Sequence, residues 1–156
     1  MYESLLYLYL FVCYLRTSSM LKNLLFFFVF LISVSVYANY PGNKTKWNGF
    51  DMYVDGANKI VVPHKVADGK PWIWRARFFG HEPQFDIAML NKGYHVVYCD
   101  VSNLYGSPEA VKRWNEYYNF LRLELLLADR AVLVGFSRGG LIAYNWAAQN
   151  PEKVAV

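Results

Sequence analysis

Histidine and cysteine are the scarce residues of this chain, and their placement excludes more than their number. The sequence has three histidines, His64, His81 and His95, and two cysteines, Cys13 and Cys99. No Cys/His spacing among them resembles a metal site, so no metal and no cofactor is expected. Cys13 falls in an apolar leader, which leaves no disulfide framework. Cys99 then stands alone at the end of an apolar run and reads as a small buried hydrophobe rather than a reactive thiol. An excess of one charge is also lacking: the formal net charge is +4 at pH 7. The charges alternate rather than cluster, so nucleic acid is not an expected partner. There is no internal repeat and no low-complexity tract. Long apolar runs are confined to the N-terminal region, and none there reaches the roughly 20 residues needed to cross a bilayer.

That N-terminal region, residues 1–38, reads as a hydrophobic leader. Tyr2 to Leu15 is aromatic and aliphatic, and Arg16-Thr17-Ser18-Ser19 interrupts it. From Met20 the order is that of a secretory signal: Lys22 as basic region, Leu24 to Ile32 as apolar core, and Val36-Tyr37-Ala38 as cleavage site. The expected location is therefore outside the cytoplasm, periplasmic or extracellular. Membrane association is expected only through an uncleaved leader. Residues 39–49, polar and containing Pro41 and Gly42, read as a mobile linker.

Against this background one stretch carries chemistry. Gly135-Phe136-Ser137-Arg138-Gly139 has the pattern G-x-S-x-G. Ala131 to Val134 before it reads as a short buried strand, and Gly140 to Gln149 after it as a helix. A serine on a sharp strand-to-helix turn is lifted off the strand end and aimed at the start of the helix. There, backbone N–H groups and the helix dipole stabilise a developing oxyanion. Glycines two positions either side of the serine let helix and strand approach without a Cβ clash.

What the motif lacks is its partners. Elbow hydrolases carry their triad in the order serine, acid, histidine. After Ser137 the chain holds one acid, Glu152, and no histidine. It reads as the first part of a hydrolase, with the triad acid and histidine expected beyond residue 156. Val154-Ala155-Val156 reads as the opening of a further strand.

The rest of the chain supplies the frame. Phe50 to Val54 and Ala57 to Val62 are strand-like runs around Asp55-Gly56, a hairpin signal. Pro71 to Arg77 is the next strand, on which Trp72 and Trp74 are expected to pack on opposite faces. Pro83 opens a helix to Lys92, with Phe85, Ala88 and Met89 as its apolar face and Gly93 as its stop. Tyr94 to Cys99 is a buried strand. Ser107 caps and Pro108 starts a helix whose Val111, Trp114, Tyr118, Leu121 and Leu125 share one face. Strands alternating with helices after a hairpin imply an α/β fold with parallel strands and crossover helices.

From about Phe50 to Val156 the chain resembles the N-terminal half of an α/β-hydrolase. The elbow carries the resemblance, together with the loop after the Trp72–Arg77 strand and Asp100…Gly106-Ser107-Pro108, which is similar to the D-x-x-G-x-G-x-S segment of that family. The run W-I-W-R-A-R-F-F-G-H-E-P-Q is similar to exported bacterial serine esterase-like members. Residues 50–156 are accordingly expected to form a partial α/β-hydrolase domain without its C-terminal strands. The resemblance implies that Ser137 is the catalytic nucleophile. It implies that the backbone N–H groups of Arg138 and Phe79 form the oxyanion site, with Phe78 as the alternative to Phe79. The usual His-Gly pair of that loop is absent, and Arg77 stands at the histidine position. The implied substrate is an ester, small or carbohydrate-linked. A non-catalytic exported domain or decayed fragment is the alternative. His81 lies on the loop at the site's rim and reads either as a substrate contact or as a surface histidine. Asn103 and Tyr105 follow a strand C-terminus, where open α/β sheets bind ligands, and are site-lining candidates. His64 has no evident partner in the sequence.

Overall fold

The computed structural model describes residues 39–155. The leader reading over 1–38, its cleavage site and Cys13 lie outside these residues. The strands are β1 (Asn43–Trp47), β2 (Phe50–Asp55), β3 (Asn58–Val62), β4 (Trp72–Ala76), β5 (His95–Cys99) and β6 (Val132–Gly135). The α-helices are α1 (Gln84–Asn91), α2 (Pro108–Leu123) and α3 (Gly139–Gln149). One six-stranded sheet runs in the order β1-β2-β3-β5-β4-β6. The first three strands form an antiparallel meander, and β3 joins β5 antiparallel. Strands β5, β4 and β6 are mutually parallel. Val154 pairs parallel with Ala131 at the outer side of the β6 region.

The residues explain this arrangement. Strands β4 and β5 are buried along their whole length, as parallel strands covered on both faces must be. One face packs on α2 and α3 through Trp72, Trp74, Trp114, Leu121 and Trp146. Trp74 and Trp114 stack with ring centroids 3.9 Å apart, and Trp146 meets Trp74 edge-on at 5.2 Å. Offset and edge-to-face pairs of this kind add about 0.5–1.5 kcal/mol each beyond the area they bury. The other face packs Phe50, Val61, Ile73 and Val96 with Leu90 of α1. Ser107 caps α2 by accepting from the Ala110 N–H, with Pro108 in the first turn. Cys99 is buried, and burial pushes its thiol up to about 12.

Four readings are corrected. The expected linker contains β1, paired with β2 in the register Trp47↔Phe50. Its turn is Asn48-Gly49, both at positive φ (47° and 87°), the chemistry of a tight hairpin. The polar strand NKTKW hides this in composition, because both of its lysines sit at the exposed edge and pair with Asp51. Trp72 and Trp74 share a face, with rings 5.3 Å apart, since residues two apart on a strand point the same way. On α1 the buried residues are Asp86 and Leu90; of the expected face Met89 packs on the core, while Phe85 and Ala88 are exposed. Asp86 takes the inward position because a buried arginine faces it. His64 does have a partner: its ring stacks on Phe50 at 4.5 Å.

Candidate active site

Ser137 stands at the C-terminal end of β6, exposed, immediately before α3. Its φ is 51°, in the left-handed region that non-glycine residues rarely occupy. Such a conformation costs about 1–3 kcal/mol and persists only where surrounding structure imposes it. Here the turn is imposed from both sides. The Gly139 N–H donates to Phe136 O and the Gly140 N–H to Ser137 O. These bonds leave the Arg138 N–H at the head of α3 without an acceptor among the described residues. Gly139 lies against the end of β4: a Cβ there would meet the Ala76 carbonyl oxygen. On the other flank Gly106, at φ 72°, touches the Leu141 backbone. The Gly106 carbonyl accepts from the Asn145 side chain at 2.7 Å. The elbow helix is thus pinned between β4 and the loop after β5.

The loop after β4 carries the other candidates. Arg77 and Phe78 both have positive φ, 66° and 49°. The Phe78 ring meets Phe136, the residue before Ser137, edge-on at 5.8 Å, and the His81 ring lies 5.3 Å from the same Phe136. So the structure brings Phe78 and His81 to the elbow through Phe136. Phe79 turns the other way: its ring packs on Trp47 and Tyr98. Tyr105, at φ 48° and well exposed, lines a narrow cleft with Arg77, Ser102 and Arg138. Asn103 is exposed on the turn Ser102–Leu104 and does not line that cleft.

Arg75 and Phe136 were not singled out from sequence as parts of the site, and Arg77 was placed only at the histidine position of the loop. Arg75 on β4 and Asp86 on α1 are 3% and 0% exposed, with Nη1 to Oδ1 at 3.4 Å. Burial raises the Asp86 carboxyl above its ordinary value, and the Arg75 guanidinium offsets only part of that rise. The same guanidinium donates to the His81 and Phe78 carbonyls and lies 5.8 Å from the Phe136 ring. It ties β4, α1, the loop after β4 and the elbow together. An arginine inside an otherwise apolar strand is the signal that could have revealed it, because a buried guanidinium needs a partner. Arg77 Nη1 donates to Ser102 O at 2.6 Å, which joins the two loops that flank the serine.

The family described as alpha/beta hydrolase fold matches residues 78–155. The homoserine O-succinyltransferase of Saccharophagus degradans is 28% identical over 133 residues, covering 72% of this chain and 34% of that protein. This chain therefore spans about a third of the length of the curated relative it matches. Among solved structures, an epoxide hydrolase A from Mycobacterium thermoresistibile is 23% identical with a TM-score of 0.37, over 74% of this chain and 37% of that one. A probable hydrolytic enzyme from Pseudomonas aeruginosa is 18% identical with a TM-score of 0.40, over 77% of this chain and 41% of that one. With its elbow, its sheet order and the family match over half of its length, the chain belongs to the alpha/beta hydrolase fold family.

Proposed function

We propose that this chain carries the nucleophile portion of a serine hydrolase that cleaves carboxylic esters by acyl transfer through Ser137. The observation that carries the reading is the left-handed serine, held at φ 51° between a strand end and a helix start. Attack of Oγ on the ester carbonyl forms a tetrahedral oxyanion. The Arg138 N–H is the first donor to it, and the Phe79 N–H, with Phe78 as alternative, is the second. The alcohol leaves with a proton, and water then releases the acid from the acyl-serine. The proton acceptor is a histidine outside these residues, oriented by an acid also outside them. His81, Asn103 and Tyr105 are proposed to rim the substrate. The substrate class is an ester, small or carbohydrate-linked, and the proposed location is periplasmic or extracellular.

The 156-residue chain is therefore expected to turn over slowly. Triad deletions elsewhere leave a residual of roughly 10³–10⁴-fold over water. Assay on short activated esters tests this. Turnover like that of an ordinary esterase, abolished by Ser137→Ala, would contradict it and move attention to His81.

A second reading has one specific support, the similarity to a homoserine O-succinyltransferase. There the acyl-serine would pass its acyl group to an alcohol rather than to water. Product analysis of a longer form with an alcohol present separates the two: a new ester favours transfer, free acid favours hydrolysis. N-terminal sequencing of secreted material tests the location, and the proposal predicts a chain starting at Asn39.

A further inference from the structure

The end of the sheet that carries Ser137 also carries cations. The narrow cleft beside the elbow, about 10 Å³, is lined in part by Arg77, Ser102, Tyr105 and Arg138. A broader cleft of about 320 Å³ shares Arg77 and Ser102 and adds Lys59, Phe78, Phe79 and Tyr98. Among the described residues no carboxylate lines either one. Asp100, close in sequence, spends Oδ1 on the Ser102 N–H at 2.9 Å.

The cations are held by carbonyls and rings rather than by acids. Arg77 is fixed by the Ser102 carbonyl and stands 4.8 Å from the Phe78 ring centre. Its Nε is buried with no hydrogen-bond partner among the described residues. Lys59 Nζ lies 5.0 Å from the Tyr98 ring centre and 5.7 Å from that of Phe79. Arg138 adds its charge at the head of α3, where the helix N–H groups already carry partial positive charge. Asp100 lies close enough to Lys59 and Tyr98 to feel the Lys59 charge, whereas Arg77 and Arg138 face each other across the narrow cleft with no carboxylate among its described lining residues. Like charges so placed repel, and an anion between them would reverse the sign of that interaction.

We propose that these clefts receive an anionic group, a carboxylate or a phosphate, borne by the ester that Ser137 attacks. This rests on the ester-cleaving reading and names its substrate class. The narrow cleft admits a single oxygen-sized group between Arg77 and Arg138. The broader one takes the adjoining part of the substrate along Phe78 and Tyr98, with Lys59 as a second cation.

Binding to Ser137→Ala protein, followed by NMR titration, tests the proposal without turnover. The probes are monomethyl succinate, with its carboxylate on the acyl side, an acetate ester of glycerol phosphate, with its phosphate on the alcohol side, and methyl butyrate as the neutral comparison. At least one anionic probe should bind about tenfold more tightly than methyl butyrate, the scale of one charge-assisted contact. The carboxylate and phosphate arms show which anion is preferred. Adding Arg138→Gln or Arg77→Gln should erase most of the preference, whereas Arg113→Gln, on the exposed side of α2, should leave it intact. Arg138 is exposed, so its variant decides the matter if Arg77→Gln does not fold. Equal binding of charged and neutral probes, or a preference that survives the Arg138 change, overturns the proposal. Acylation of Ser137 by a neutral ester is a separate readout. If it occurs without anionic preference, the ester-cleaving reading stands and this inference falls. If the preference exists without acylation, the clefts bind an anion, but the ester-cleaving reading falls and with it the claim that an ester bears that anion.

Discussion

Gly139 and Ala76 approach so closely that no side chain fits between them: any Cβ at position 139 would overlap the Ala76 carbonyl oxygen. The helix that follows the nucleophile is seated directly on the end of the neighbouring strand. Gly139→Ala must push α3 off β4. We expect a loss of about 2 kcal/mol or more, the scale of an overpacked or strained site. Urea unfolding of the variant beside the parent measures it. An unchanged midpoint would mean that the elbow is loosely seated.

Ser137 holds a conformation that glycine adopts at no steric cost. Ser137→Gly should therefore be more stable than Ser137→Ala by about 1 kcal/mol, the left-handed penalty for a residue with a Cβ. Comparing the two denaturation midpoints checks this. Equal midpoints would remove the argument that function holds this residue under strain.

Arg75 and Asp86 form a pair with no exposed surface to relax into. Removing one partner strands the other charge. Arg75→Met alone should cost about 3–5 kcal/mol, and Arg75→Met with Asp86→Leu should recover most of it. A double variant as unstable as the single one would show that the bonds from Arg75 to the His81 and Phe78 carbonyls matter more than the ion pair.

His95 is fully buried, and its Nε2 meets the Tyr40 hydroxyl at 2.8 Å. Burial lowers its pKa from 6.5 to about 4. The folded state thus disfavours the imidazolium, and the unfolded chain binds more protons between these values. The contribution of neutral His95 is complete above pH 6.5 and is lost as pH falls from 6.5 to about 4. Linkage sets the loss at about 3 kcal/mol. Unfolding at pH 7 and pH 4.5, with a His95→Gln variant as reference, should show the parent losing more. A parallel loss in both proteins would assign acid sensitivity to other groups.

What the sequence revealed followed from short-range chemistry. The elbow, the Ser107 cap and the hairpin around Gly56 were legible because each rests on residues adjacent in sequence. The helix face of Val111, Trp114, Tyr118 and Leu121 was legible from its period, and all four are buried. What it hid was long-range. Nothing local says that β4 lies between β5 and β6, or that Asp86 faces inward to meet Arg75. Trp47 was hidden by polar neighbours, although Asn48-Gly49 was a usable turn signal. Phe136 reached the site description only through its contacts with Phe78 and His81.

The central claim is that Ser137 is the nucleophile, and the most direct measurement is where an acyl group lands. Purified chain is incubated with p-nitrophenyl acetate, digested and mapped by mass spectrometry. The account predicts an acetyl group on the peptide that contains Ser137, because Ser137 Oγ is the atom that attacks the ester carbonyl. The adduct should be absent in Ser137→Ala. Acetylation spread over lysines with Ser137 unmodified, or ester turnover unchanged by Ser137→Ala, would contradict it.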